Sequence, residues 1–306
     1  MDGMVELFQQ NSNHYRIRNV GFPASFAVFT SYMSGTPPYN YFGAYIREDN
    51  LMHQLVTHTG QPFKYVGTKL PAYDSLCNGD YFKNGVVLER TTETSALYQT
   101  LFQCSLGNSH QCAKQYLDRE AAGRDSSIFF SGDMVDERNH MTGNKYHPAT
   151  VQLLNGWIKD MAAVKQWVDQ HPEYLLMIFS DHGGKTPNDT GAHGRNDQGN
   201  EAFTIIYNPH LVPLPADQQN KLIDQVDLCS TVTQYFMGSG ASIPAENTGR
   251  LDPATTDMEH KRHLLSINLI QLIRLAKHLG ILDEQQSNSM MEYEDSDTVK
   301  AVASLN

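Results

Sequence analysis

A chain of 306 residues, 40% of them apolar, can bury one sizeable core, and nothing in its composition forces a second domain. The formal net charge of −11 argues against a general nucleic-acid binder, because phosphate backbones need a basic face. No stretch approaches the roughly 18 uninterrupted apolar residues of a membrane helix, and no basic segment followed by an apolar run opens the chain, so no signal peptide is expected.

In chain order, amphipathic stretches are predicted at 49–57 and 95–102, with a short strand between them at Phe63-Lys64-Tyr65-Val66-Gly67. A second strand, Ser127-Ile128-Phe129-Phe130, runs into Ser131-Gly132-Asp133. Helical spacing of Leu153, Leu154, Trp157, Ile158, Met161, Val164 and Val168 predicts a long helix over 149–168. The clearest strand, Tyr174 to Phe179, stops at Ser180-Asp181-His182-Gly183, and another covers Phe203 to Tyr207. Residues 212–226 read as a loop with a helix near 217–223, and a further helix runs from Val226 to Phe236. A strong apolar helix is expected over 263–279, then an acidic tail, disordered from Asp283. Apolar strands alternating with helices indicate an α/β sandwich around a largely parallel sheet, and such sheets hold ligands beyond the carboxyl ends of their strands.

The polar clusters fall at those ends. Ser180-Asp181-His182-Gly183-Gly184 is followed, after a loop, by Ala192-His193-Gly194, and a carboxylate and imidazole behind a buried strand are suited to grip a cation. Asp136 and His140, four apart, share one face if helical, with Asp133 a rival ligand and His147 a spare histidine. An acidic chain that acts on an anion must neutralise it locally, and bound divalent cations are one way to do so. A hydroxyl nucleophile is available at Ser25, although a serine there reads equally as a helix N-cap. Four cysteines lack CxxC pairing, which argues against a structural zinc knot; Cys104 and Cys112 are close enough for a small-loop disulfide in an oxidising compartment.

The run Ser180-Asp181-His182-Gly183 to Gly191-Ala192-His193-Gly194 resembles the SDHG…GxHG signature of the alkaline phosphatase superfamily, and within it the GPI ethanolamine phosphate transferases. Four further stretches are similar to that narrower group. Glu48 to Leu55 resembles EDNL-x-x-QL, and Asp136 to Gly143 resembles D-x-x-GH-x-x-G with Asn139 where glycine is usual. Gln225 to Thr231 resembles QxDLxPT, and Ile243 to Gly249 resembles IPxxNxG. The resemblance implies an alkaline phosphatase-like catalytic domain over 1–250, a helical appendage over 251–282 and a tail over 283–306.

By the same resemblance Asp181 and His182 match one metal's ligands, Asp136, His140 and His193 the other's, and Ser25 falls where the nucleophilic threonine sits. Asp2 matches the aspartate expected at the end of the first strand, although the strand itself is not apparent. Ala27 and Val28 replace the proline and its neighbour of the sulfatase C/S-x-P-x-R motif, so conversion of Ser25 to formylglycine is not expected. Two divalent cations, zinc first, are implied as cofactors. Phosphoethanolamine transfer from a phosphatidylethanolamine-like donor to a GPI-like acceptor, on the lumenal side of the endoplasmic reticulum, is the implied activity. A hydrolase, or a non-catalytic relative that keeps its ligands, are the alternatives. The family carries membrane segments on both sides of this domain, so the chain is expected to be a truncated or cut-down relative without an anchor.

Overall fold

The computed structural model describes residues 2–20, 25–37, 50–51, 54–55, 63–66, 86–88, 117, 127–130, 134–189, 193, 201–237, 247, 249, 266, 269, 273, 276–277 and 279–292. Its ordered elements begin with α1 (Asp2–Leu7), β1 (Ser12–Arg18) and α2 (Ser25–Ser34). Three short strands, β2 (Phe63–Val66), β3 (Val86–Leu88) and β4 (Ser127–Phe130), pair in parallel in the order β3-β2-β4. Then come α3 (Met134–Thr142), α4 (Pro148–Gln170), β5 (Leu176–Phe179), β6 (Glu201–Tyr207), β7 (Lys221–Asp224) and α5 (Asp227–Met237), and α6 (Glu284–Glu292) follows.

The sheet that organises the site has the order β5-β6-β1-β7. It is partly mixed rather than wholly parallel: β6 runs antiparallel to both β5 and β1, while β7 pairs in parallel with β1. Strands β5, β1 and β7 therefore share one direction. Their carboxyl ends, at Ser180, Asn19 and Gln225, lie along one edge of the sheet, where an open α/β sheet holds its ligands.

Alternation along the strands decides which helix covers which face. Tyr15, Ile17 and Ile206 pack with Val28, Phe29 and Met33 of α2 and with Leu228 and Val232 of α5. Ile178, Ile205 and Tyr207 point the other way, into Met4 and Phe8 at the amino terminus and Met161, Val164, Trp167 and Val168 of α4. Ile205 and Ile206 are both buried because both faces are covered, and each side chain so buried contributes about 1.5–3 kcal/mol. The α/β fold class thus holds, with helices on both faces of the sheet.

Three expectations are corrected. The first strand is present, but it follows Asp2: the residue opens α1, and β1 begins ten residues later. Its core positions Ser12, Asn13 and His14 are polar, which hides it from any apolar pattern. The helix expected near 217–223 is instead a single 3-10 turn at Ala216–Gln218 followed by β7. Asn220 breaks the helix with φ of 59°, and the edge of β1 supplies hydrogen bonds that a four-residue helix could not make internally. The tail does not begin at Asp283: Asp283 Oδ1 accepts from Gln286 N at 2.7 Å and Gln286 Oε1 accepts from Asp283 N at 2.9 Å. That reciprocal capping box starts α6 despite the acidic composition. The predicted 263–279 helix lies mostly outside the described residues; those described within it at 266, 269, 273, 276 and 277 are helical. The 95–102 stretch, Cys104 and Cys112 also lie outside them, and the Cys229 thiol is buried with its Sγ 3.7 Å from Met33 O.

Candidate metal centre

β5 delivers Ser180-Asp181-His182 to the sheet edge, and the turn there is held on several sides. Ser180 N donates to Phe203 O at 3.0 Å, and Ser180 Oγ accepts from Phe203 N at 3.1 Å. Tyr32 OH donates to Ser180 O at 2.8 Å, and Asn19 Nδ2 donates to Asp181 O at 3.0 Å. His182, 8% exposed, donates from Nδ1 to the Gly183 carbonyl at 2.9 Å. That bond assigns the tautomer and leaves the Nε2 lone pair facing inward. Asp181 Oδ2 lies 3.3 Å from this Nε2 and Ser25 Oγ lies 3.4 Å from it.

The opposite wall comes from α3. Asp136 and His140 stand four apart on that helix, with His140 Nε2 3.4 Å from Asp136 Oδ2. His193 reaches in between: its Nε2 is 3.1 Å from His140 Nε2 and 4.0 Å from Asp136 Oδ1, and its ring centroid is 4.0 Å from that of His182. Burial, followed by the neighbouring His182 and His140, depresses the His193 pKa to about 4 against the pull of Asp136 and Asp181. Its imidazole is therefore neutral near pH 7, the form that ligates a metal.

The donor set fits a divalent cation. One ligand atom each from Asp136, His182 and His193 lie within 4.8 Å of one another, and the imidazole and carboxylate mixture suits zinc. His140 and His193 face each other through Nε2 at 3.1 Å, a separation that two nitrogens ligating one cation can also adopt. A metal-free Ser-His-Asp relay fits less well, because it needs the carboxylate on one ring nitrogen and the serine on the other. Here Asp181 and Ser25 both face Nε2, and Nδ1 is committed to Gly183.

The sequence-predicted residues Ser25, Asp136, His140, Asp181, His182 and His193 therefore come together in one cluster. His182 does not keep to the Asp181 side: its ring stacks towards His193 and groups with Asp136. Asp2 does not end a strand, since it opens α1. His147 is occupied as the N-cap of α4, where Nδ1 accepts from Ala149 N at 3.2 Å. Asp133 lies outside the described residues.

Asn19 is the site residue that sequence reasoning missed. It follows β1 directly, is 6% exposed, and its Oδ1 has no hydrogen-bond partner among the described residues. No sequence signal pointed to it, because the strand it follows carries no apolar pattern. The remaining motif residues build the frame. Gln225 Oε1 accepts from Val20 N and Gln225 N donates to Arg18 O, both at 3.0 Å, which fixes the exit of β1. Asn247 Nδ2 donates to Ser230 Oγ at 2.7 Å, and its Oδ1 accepts from Gly249 N at 2.6 Å. That Oδ1 lies 2.1 Å from where a Cβ on Gly35 would sit, so the end of α2 tolerates no side chain there. Gly184 is similarly confined, with a Cβ placed 2.9 Å from Lys145 Cβ and 3.2 Å from Asn139 Nδ2.

No protein-family model matches the sequence, and no curated protein matches it. Solved structures are similar to it in fold. Alkaline phosphatase from the Antarctic bacterium TAB5 is 11% identical with a TM-score of 0.47, covering 72% of this chain and 87% of that one. The C-terminal periplasmic domain of EcEptC from Escherichia coli, in complex with Zn, is 12% identical with a TM-score of 0.41, covering 83% and 82%. Phosphonate monoester hydrolase SpPMH from Silicibacter pomeroyi is 13% identical with a TM-score of 0.44, covering 82% and 70%.

Proposed function

We propose that this chain is a metal-dependent phosphotransferase of the alkaline phosphatase superfamily that works through a covalent intermediate on Ser25. The observation that carries the reading is the convergence of Asp136, His182 and His193 on one point, with His140 beside His193 and with Asp181 and Ser25 on the same His182 nitrogen. Asp181 and His182 would hold one divalent cation, and Asp136, His140 and His193 a second, zinc in both. Bound there, the cations supply a lowered hydroxyl pKa and neutralisation of phosphoryl oxygens.

Ser25 is the first residue of α2, and the positive end of a helix dipole favours an incoming oxyanion there. Its Oγ forms the new O–P bond as the donor's P–O bond breaks, the serine proton ending on the departing alcohol; the acceptor hydroxyl then displaces Ser25 from phosphorus and its proton returns to Oγ. The motif similarities at 48–55, 225–231 and 243–249 support a phosphoethanolamine-like transferred group, a phosphatidylethanolamine-like donor and a GPI-type glycolipid acceptor. Those substrates would be met on the lumenal side of the endoplasmic reticulum. Among the described residues no helix is long and apolar enough to cross a membrane.

The test is Asp181→Ala, with zinc counted by elemental analysis and turnover followed on a chromogenic phosphodiester. Loss of both is expected. A variant that turns over like the parent would overturn the assignment. The ratio of hydrolysis to transfer, measured with added alcohol acceptors, separates a transferase from a hydrolase using water.

A further inference from the structure

We propose that Tyr32 is a positioning residue that fixes Ser25 against the Asp181-His182 strand end, an inference that rests on the reading of Ser25 as the nucleophile. Ser25 and Tyr32 are seven residues apart on α2, two turns, and so lie on one stripe of the helix. Both meet the same three-residue segment: Ser25 Oγ is 3.4 Å from His182 Nε2, and Tyr32 OH donates to Ser180 O at 2.8 Å. The Tyr32 ring also packs edge-on against Phe179, with centroids 5.2 Å apart at 84°.

Two attachments two turns apart determine both the roll of α2 and its position along β5. Val28, Phe29 and Met33 hold α2 in the core, and the Tyr32 hydroxyl adds the directional tie to the end of β5. Tyr32 is 1% exposed, so its hydroxyl has no water to exchange with, and Ser180 O has no equivalent donor to replace it among the described residues. Burial, and then the charge of Asp181, raise its pKa well above that of a free tyrosine, so the hydroxyl remains a donor at neutral pH. Removing that oxygen lets α2 shift, and about 1 Å of misplacement at a nucleophile costs on the order of 100-fold in rate.

Tyr15 supplies the control. It is equally buried, belongs to the same apolar cluster, and its hydroxyl meets Tyr235 OH at 3.0 Å, away from the strand end. Tyr32→Phe and Tyr15→Phe each remove one buried hydroxyl. For Tyr32→Phe, kcat on a chromogenic phosphodiester is expected to fall about 10- to 100-fold, with KM and zinc content within about 2-fold of the parent. Tyr15→Phe should leave kcat within about 2-fold. Equal kcat losses in the two variants, or none in Tyr32→Phe, would overturn the inference.

A readout that needs neither metal nor turnover separates this inference from the reading beneath it. In a Ser25→Cys background, freed of zinc, the rate of iodoacetamide alkylation at residue 25 is followed by peptide mass spectrometry. Adding Tyr32→Phe should change that rate about 10-fold while adding Tyr15→Phe leaves it alone. Three equal rates overturn the positioning role even if the parent enzyme is active. A parent without zinc or turnover overturns the reading of Ser25 while the alkylation rates still decide the role of Tyr32.

Discussion

Two buried histidines stand at opposite ends of the same sheet. His14, 7% exposed near the start of β1, has its Nε2 at 2.8 Å from Phe8 O and 2.7 Å from Ser12 Oγ, while Ser12 Oγ itself donates to Phe8 O. Its ring closes a local network that ties the end of α1 to the strand. His182, 8% exposed at the far edge, commits Nδ1 to one carbonyl and turns Nε2 toward a carboxylate and a hydroxyl, with the His193 ring centroid 4.0 Å from its own. Their burial is nearly equal, so burial does not distinguish them. What differs is whether the ring's second nitrogen meets donors and acceptors that satisfy it, or a set of lone pairs that a cation would satisfy.

Substitutions at the two ends should separate along that line. The largest effect is expected for His193→Ala, which removes a direct ligand: zinc affinity by competition with a chelator should fall beyond the roughly 10- to 100-fold that loss of an outer-sphere partner costs. The thermal midpoint of the zinc-free protein should barely move. Next is His14→Ala, with the opposite pattern. It strips a partner from the Phe8 carbonyl and the Ser12 hydroxyl, so urea unfolding should show a loss of about 1–3 kcal/mol with zinc affinity unchanged. A zinc defect in His14→Ala would collapse the contrast between the two ends. The smallest effect is expected for Asp283→Ala, which removes one half of the α6 capping box and should cost about 1 kcal/mol of local helix stability, read as faster amide exchange over 284–287. Neither zinc binding nor turnover should respond.

Much of the site was legible because its residues sit directly after an apolar run. Leu175 to Phe179 announces a buried strand, and Asp181 and His182 follow within three residues of its end. Asp136 and His140 carried a conditional signal, that they would share a face if helical, and α3 meets the condition. β1 gave no such signal. Asn13 Nδ2 donates to Tyr235 OH, and His14 N donates to Gln219 Oε1, partners more than 200 residues away along the chain. Polar side chains that are buried because distant groups satisfy them look like a loop in one dimension. The same long-range supply explains β7, whose four residues become a strand through the edge of β1.

From its sequence alone this protein carries the kinds of groups its chemistry needs: carboxylates and imidazoles behind one strand, an Asp-His pair at helical spacing, and a serine able to open a helix. Those are local matters, decided by residue type and by the periods of strand and helix. Tertiary structure decided which groups share a space. It brought His193 between His140 and His182, moved the end of the first strand from Asp2 to Asn19, and set Ser25 and Asp181 on one ring nitrogen. The direction of three strands against one, and the two-turn stripe of α2, place those atoms within a few ångströms. No local pattern encodes that distance, because it follows from contacts between residues 148 to 162 positions apart.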